Sequence, residues 1–137
     1  MSDRVLIRGG RVVDPSQGLD GVRDVLIEDG VISRIAASID AAEGVDIINA
    51  SGLAVVPAFV EIHAHLREPG GESSETIATG LRAAARGGYA HVYSMPNTTP
   101  VCDCPMIVKY QLDRARESSH VRLHPVGSVT RGMSGER

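Results

Sequence analysis

Two histidines, His63 and His65, stand two residues apart in a segment that predicts a β-strand. Side chains two apart on a strand point to the same face, so both imidazoles can reach one metal ion. Imidazole nitrogen is a good zinc ligand, and two such ligands leave positions for a carboxylate and a water. Because His-x-His also arises by chance, the spacing alone leaves a purely structural role open.

Two further polar side chains follow predicted strand ends. Arg67 lies two residues after His65, where a guanidinium can hold a substrate carboxylate by two parallel hydrogen bonds. The alternative for Arg67 is a solvated arginine paired with Glu68 or Glu72. Asn97 follows the next predicted strand, and its alternative is an asparagine that sets a turn. In α/β barrels, active sites lie in the loops that follow the strands.

The second half of the chain supplies the elements that must position these residues. Strands are predicted over 59–65, 90–95 and 121–126. A first helix is predicted from an N-cap at Ser73 or Ser74 to Gly87-Gly88, and a second begins at Asp103 with Pro105. Their apolar faces are Ile77, Leu81, Ala84 and Ala85 in the first, and Val108, Leu112 and Ala115 in the second. The order β-α-β-α-β predicts an α/β fold with a parallel sheet and right-handed crossovers.

The first 56 residues predict a small antiparallel β-unit. Short strands at 5–7 and 12–13 are separated by a turn at Gly9-Gly10. A hairpin is centred on Asp29-Gly30, a dipeptide that tolerates the positive φ angles of a tight turn. Further strands are predicted within 45–48 and 52–56.

Composition excludes several classes of protein. Hydrophobic residues make up 42% and charged residues 23%, values typical of globular chains. A net charge of −3 and 3% aromatic residues argue against a nucleic-acid partner. The longest apolar run, 53–60, is too short to span a bilayer, and no secretory signal is recognisable, so no membrane association is expected. We expect Cys102 and Cys104 to be reduced thiols in a cytoplasmic protein.

Longer stretches carry a resemblance to a known family. They are Pro-Ala-Phe-Val-Glu-Ile-His-Ala-His-Leu-Arg-Glu-Pro-Gly at 57–70, Ala-Ala-Ala-Arg-Gly-Gly at 83–88 and Met-Pro-Asn-Thr at 95–98. Together they resemble the amidohydrolase superfamily and, within it, the dihydroorotase family. The His-x-His pair is shared with allantoinases and dihydropyrimidinases, so His-Leu-Arg-Glu-Pro-Gly and Met-Pro-Asn-Thr carry the narrower resemblance.

The resemblance implies a zinc enzyme of pyrimidine synthesis that reversibly closes N-carbamoyl-L-aspartate to L-dihydroorotate. His63 and His65 are then metal ligands for a centre of one or two zinc ions, and Arg67 and Asn97, together with His65, bind the substrate. The implied fold is the start of a metal-dependent hydrolase (β/α)8 barrel. Residues 57–137 supply its first three strands and two helices, after a β-rich segment, 1–56, that is part of a composite β-sandwich. A homo-oligomer is also implied.

A complete barrel takes about 250 residues, so the chain is expected to be truncated. The resemblance puts the remaining ligands and the proton-shuttling aspartate beyond Arg137. No catalytic acid or base is therefore expected within the chain, which should be inactive alone. Glu61 and Ala58 depart from the family's usual Asp and Gly, and the longer acid is expected to affect how the histidines are oriented. We interpret His91, like His120 and His124, as structural.

Three alternatives remain at this point. The first is another cyclic-amide amidohydrolase, an allantoinase or a dihydropyrimidinase-like enzyme. The second is a non-catalytic dihydroorotase-like partner of aspartate transcarbamoylase, which the presence of His63, His65 and Arg67 disfavours. The third is an independent α/β module, which the exposed edge of a three-stranded sheet disfavours.

Overall fold

The computed structural model describes residues 4–136, which divide into two compact units. One unit ends at Pro57 and the other begins at Ala58. No helix in the described part of the chain is long and apolar enough to cross a membrane.

The N-terminal unit is a sheet of five strands. They are β1 (Arg4–Asp14), β2 (Leu19–Glu28), β3 (Val31–Ala36), β4 (Asp46–Asn49) and β5 (Ala54–Val55). The order is β3-β2-β1-β4, and β5 pairs with β1 beyond β4. β1 is antiparallel to β2, and β2 to β3, whereas β4 and β5 run parallel to β1. The predicted antiparallel unit is therefore corrected to a mixed sheet, because the chain crosses from β3 to the far side of β1.

The predicted turn at Gly9-Gly10 is wrong, because β1 runs unbroken through both glycines. The register with β2 shifts between Ile7 and Gly10, and Gly9 has a φ of 70°. The Asp24 carboxylate, which is 5% exposed, accepts hydrogen bonds from the backbone N–H of Gly9 at 2.8 Å and of Ile39 at 2.9 Å. The two glycines thus form a bulge that a carboxylate of the neighbouring strand holds in place.

The hairpin predicted at Asp29-Gly30 is confirmed. These residues join β2 to β3, with φ angles of 52° and 75°. Positive φ at both central positions is what a tight hairpin turn of this kind requires.

The C-terminal unit alternates strands and helices. Its elements are β6 (Phe59–Ala64), α1 (Ile77–Arg86), β7 (Tyr89–Ser94), α2 (Pro105–Ser118) and β8 (Arg122–Pro125). The sheet order is β6-β7-β8, and both pairings are parallel, as the β-α-β-α-β pattern predicts. One core lies between the sheet and the helices and is built from Leu66, Ile77, Leu81, Val92, Ala115, Val121 and Leu123.

Both predicted helices form, with local differences. The N-cap of α1 is Thr76 rather than Ser73 or Ser74, because Thr76 and Thr79 form a reciprocal capping box. In α2 the buried residues are Ile107, Gln111 and Ala115, whereas Val108 and Leu112 of the predicted apolar face are half-buried. Because the buried face of α2 includes the polar residue Gln111, the spacing of apolar residues alone does not identify that face.

β6 is an edge of its sheet and carries apolar side chains that the described residues do not cover. Phe59, Val60 and Ile62 are 52%, 51% and 73% exposed. An open edge with exposed apolar residues is a surface on which another strand can pair.

Candidate metal and substrate site

The two histidines lie at the C-terminal end of β6. Their ring centroids are 5.2 Å apart in an edge-on arrangement, with His63 exposed and His65 half-buried. The Glu61 carboxylate accepts a hydrogen bond from the backbone N–H of His63 at 2.9 Å. The longer acid therefore contacts the backbone of His63, and the two imidazoles remain next to each other.

His65 is also bound to Asn97, the amide that follows β7. The distance from His65 Nδ1 to Asn97 Oδ1 is 2.7 Å. An amide oxygen only accepts, so Nδ1 is the donor here, and in a neutral imidazole Nε2 then keeps its lone pair. This is the tautomer in which a histidine offers Nε2 to a metal while its other nitrogen is held by a carbonyl oxygen.

The donor set fits half of a zinc site. Two neighbouring imidazoles match the ligand chemistry of zinc, which takes four ligands as a rule. Within residues 4–136, no group of three or more histidine, cysteine or acidic side chains is placed to hold a metal ion. The described residues therefore offer two candidate ligands, His63 and His65.

Arg67 follows the histidines in the left-handed region of backbone space, with φ at 64°, and its side chain is exposed. The alternative ion pairs with Glu68 and Glu72 are not present within the described residues. Glu68 is buried and bound to the helices, and Glu72 accepts a hydrogen bond from the backbone N–H of Gly70 at 2.9 Å. That hydrogen bond, with one from its own backbone N–H, holds the pKa of Glu72 below its usual value.

The loops after β6 and β7 are joined directly. The backbone N–H of Thr99 donates to the carbonyl oxygen of Pro69 at 2.9 Å, and that of Met95 donates to Ala64 at 2.8 Å. At Gly70, whose φ is 93°, an added Cβ would lie 2.2 Å from the carbonyl oxygen of Thr99. These contacts hold the two loops side by side at one edge of the sheet.

Sequence reasoning missed the residues that support this loop. Glu68 and Gln111, which are buried, and Tyr110, which is half-buried, form a set of hydrogen bonds between the loop and α2. The available signal was a glutamate directly after one candidate site residue, Arg67, and three residues after another, His65. Nothing in the pattern of α2 indicated which of its polar residues faces inward.

The remaining histidines lie elsewhere. Nδ1 of His91 on β7 is 2.8 Å from Nε2 of His124 on β8, and Tyr93 stacks on His124 with centroids 4.5 Å apart. His120 is exposed after α2. Neither His91 nor His124 is hydrogen-bonded to His63 or His65 within residues 4–136, so their structural role stays a prediction.

Comparison with known proteins identifies the family of the chain. The family model described as "Dihydro-orotase-like" matches residues 52–137. A dihydroorotase from Anaeromyxobacter sp. strain K is 46% identical over 136 residues, which are 99% of this chain and 31% of the relative. One from Citrifermentans bemidjiense is 48% identical over 132 residues, 96% of this chain and again 31% of the relative. The chain thus spans about a third of the length of these relatives.

Solved structures show the same fold. The L-hydantoinase (dihydropyrimidinase) of Arthrobacter aurescens superposes with a TM-score of 0.78 at 24% identity, covering 93% of this chain and 28% of that one. The dihydropyrimidinase of Brevibacillus agri gives a TM-score of 0.75 at 25% identity, covering 92% of this chain and 27% of that one. The chain belongs to the dihydroorotase-like family and corresponds to an N-terminal portion of its members.

Proposed function

We propose that the chain is part of a zinc-dependent dihydroorotase, which reversibly closes N-carbamoyl-L-aspartate to L-dihydroorotate in pyrimidine synthesis. The observation that carries this is the 2.7 Å hydrogen bond between His65 Nδ1 and Asn97 Oδ1. It joins the ends of two neighbouring strands and leaves Nε2 of His65 available as a ligand. Family membership, with relatives named dihydroorotase, supports the choice of reaction.

In this proposal His63 and His65 hold zinc, which when bound supplies Lewis-acid polarisation of the substrate carbonyl. Arg67 and Asn97 hold the substrate carboxylate, and the guanidinium does so through two parallel hydrogen bonds. Arg67 is exposed and pairs with neither Glu68 nor Glu72 within the described residues, so its donors are available for an anion. Asn97 has one amide nitrogen left to donate after its oxygen has accepted from His65.

We also propose an architecture for the protein to which the chain belongs. Residues 57–137 form the first three strands and two helices of a (β/α)8 barrel, and residues 1–56 form part of a composite β-sandwich. The exposed edge of β6, with Phe59 and Ile62, supports pairing with strands outside this chain. Two metal ligands, with the acid or base expected beyond Arg137, leave the 137-residue chain without turnover of its own.

The test is hydrolysis of L-dihydroorotate by the purified chain with added zinc, and by the full-length protein that carries these residues. We expect turnover from the full-length protein and none from the chain. His63→Ala should abolish turnover, whereas His120→Ala, at an exposed histidine away from the site, should preserve it. Zinc-dependent turnover by the chain alone would contradict its predicted inactivity, and its absence from the full-length protein would overturn the reaction.

A second candidate is hydrolysis of another cyclic amide. The fold is shared with hydantoinases, which supports assaying hydantoin and allantoin beside dihydroorotate. Because Arg67 is proposed to hold a carboxylate, Arg67→Lys should raise the KM for dihydroorotate. The same substitution should leave the KM for hydantoin, which has no carboxylate, about unchanged.

The cellular setting is a proposal as well. Cys102 and Cys104 are both free, and burial raises the pKa of the Cys102 thiol. Free thiols are compatible with a reducing compartment, and we propose a cytoplasmic homo-oligomer. Co-purification with aspartate transcarbamoylase is the outcome that would favour the partner-subunit alternative.

A further inference from the structure

Glu68 is a buried carboxylate between the Arg67 loop and both helices. It is 6% exposed, and its Oε2 accepts a hydrogen bond from the backbone N–H of Ile77 at 2.7 Å. Its Oε1 accepts one from the hydroxyl of Tyr110 at 2.8 Å, and Arg114 Nε lies 3.5 Å from the same oxygen. A buried carboxylate is tolerated only where donors of this kind replace its water.

The partners of this carboxylate are well suited to a negative charge. Ile77 is the first residue of α1, where backbone N–H groups lack acceptors within the helix and the helix dipole favours an anion. Tyr110 lies on α2, which begins 37 residues after Glu68 along the chain but reaches it in space. Glu68 therefore ties its loop to two separate helices.

The backbone around Glu68 is held from both sides. Gln111, which is 1% exposed, donates from Nε2 to the carbonyl oxygen of Glu68 at 3.1 Å. The next carbonyl, that of Pro69, accepts from Thr99 in the loop after β7. The segment that follows Arg67 is thus bonded to α1, to α2 and to the Asn97 loop.

Arg67 itself is in a conformation that needs support. Its φ of 64° lies in the left-handed region, which residues with a Cβ seldom adopt. Its side chain is exposed, so packing of the side chain does not hold it there. Its two chain neighbours are buried, Leu66 in the apolar core and Glu68 in the hydrogen-bond set.

We propose that Glu68 is a positioning residue for Arg67. By bonding to α1 and α2 it holds Arg67 in the left-handed conformation from which the guanidinium meets the substrate carboxylate. In this role Glu68 acts through the backbone, since its oxygens accept from Ile77 and Tyr110 and it forms no ion pair with Arg67 among residues 4–136. This inference rests on the proposed role of Arg67 in substrate binding.

The first test is a double-mutant cycle on dihydroorotate hydrolysis by the full-length protein that carries these residues. We expect Glu68→Gln to raise KM by about tenfold, because a small misplacement of a binding group is costly, with a smaller change in kcat. In the Arg67→Lys background, Glu68→Gln should change KM by less than about twofold, since coupled residues are not additive. A purely structural role would give the same factor in both backgrounds and would overturn the proposal.

Asp24→Asn is the matched control. Asp24 is an equally buried carboxylate in the N-terminal unit and accepts two backbone hydrogen bonds. We expect Asp24→Asn to lower the melting temperature to a similar extent while leaving KM unchanged. A rise in KM with Asp24→Asn equal to that with Glu68→Gln would attribute both effects to lost stability and overturn the positioning role.

A second readout does not depend on activity. In the 137-residue chain, the Cα and Cβ chemical shifts of Arg67 report its left-handed backbone. We expect Glu68→Gln to move them towards random-coil values, and Tyr110→Phe to do so in part. Tyr110→Phe removes one donor only and replaces Glu68→Gln if that variant does not fold. Unchanged shifts would overturn the proposal.

These experiments distinguish a failure of the proposed reaction from a failure of the positioning role of Glu68. If the full-length protein does not hydrolyse dihydroorotate, the proposed function fails, and the chemical shifts still decide whether Glu68 holds Arg67. If it does hydrolyse dihydroorotate but Arg67→Lys leaves KM unchanged, the role of Arg67 fails, and with it the link to the substrate.

Discussion

Asp24 and Glu68 are the two buried carboxylates among residues 4–136, one in each unit. Asp24 accepts from two backbone N–H groups, which hold the bulge in β1 and the segment at Ile39. Glu68 accepts from one backbone N–H and one side-chain hydroxyl, which belong to two helices. Both replace lost hydration with hydrogen bonds from fixed donors.

The difference lies in what each carboxylate holds. The segments that Asp24 fixes carry none of the candidate site residues, so Asp24 serves the fold. Glu68 is joined by a peptide bond to Arg67 and lies three residues from His65. Burial and hydrogen bonding alone therefore do not mark a carboxylate as functional. What distinguishes Glu68 is that the loop it fixes carries candidate site residues.

The largest expected losses of stability come from removing each buried carboxylate in turn. Glu68→Ala leaves the buried N–H of Ile77 and the half-buried hydroxyl of Tyr110 unpaired, with a space beside the helices, and should destabilise its unit by about 4 kcal/mol. Asp24→Ala leaves two backbone donors unpaired and should cost about 3 kcal/mol. Amide hydrogen exchange at Ile77 and at Ile39 measures each loss locally. Faster exchange at both amides in either variant would contradict the independence of the two effects.

Two glycines provide the next comparison. Gly70 and Gly30 have φ angles of 93° and 75°, but an added Cβ meets Thr99 at Gly70 and nothing within 4 Å at Gly30. Gly70→Ala should cost about 3 kcal/mol, from positive φ and overpacking together. Gly30→Ala should cost about 1 kcal/mol, from positive φ alone. Thermal unfolding checks this, and equal losses would mean that the two loops after β6 and β7 separate easily.

A smaller effect is expected when only one donor to Glu68 is removed. Tyr110→Phe should destabilise the C-terminal unit by about 1 kcal/mol, since the carboxylate keeps its bond to Ile77. Tyr93→Phe is the matched control, because the Tyr93 hydroxyl has no hydrogen bond within residues 4–136. Urea unfolding followed by circular dichroism measures both. A loss for Tyr93→Phe as large as that for Tyr110→Phe would argue against the hydrogen bond as the cause.

The smallest effect should come from an exposed carboxylate. Hydrogen bonds from Ser16 and Gln17 lower the pKa of Asp14 below its usual value. A lowered folded-state pKa means that Asp14 stabilises the fold above its unfolded pKa, about 3.9, and that this is lost as pH falls through the folded pKa. Asp14→Asn should therefore lower the melting temperature slightly at pH 7 and hardly at pH 2. Equal decreases at both pH values would contradict this.

Parts of the molecule with a strong local pattern were predictable. The turn between β2 and β3 is predictable from the dipeptide Asp29-Gly30 alone. The order of strands and helices after Pro57 is predictable from apolar periodicity. Gly9-Gly10 was mistaken for a turn because a bulge depends on the partner strand, here on Asp24. The start of α1 was misplaced because several hydroxyl residues precede it and only Thr76 forms the reciprocal cap.

For the candidate site, sequence selects the residues, whereas their roles as metal or substrate ligands stay predictions. His63, His65, Arg67 and Asn97 stand out by residue type and by position at strand ends, and the structure brings His65 and Asn97 together. The role of Glu68 was not visible, because a glutamate in a loop is usually solvated. Its burial depends on Tyr110 and Gln111, whose inward orientation follows from how α2 packs rather than from its own sequence.

The position of β1 in its sheet has a consequence for the order of folding. β1 meets β2 across a short connection, but its other edge pairs Val5 with Asp46 in parallel. Closing a long loop costs more chain entropy than closing a hairpin, and non-local pairing is slow. We expect β1, β2 and β3 to assemble first and β4 and β5 to add last. The apolar residues Ile47 and Ile48 then contribute to the unfolding rate more than to the folding rate.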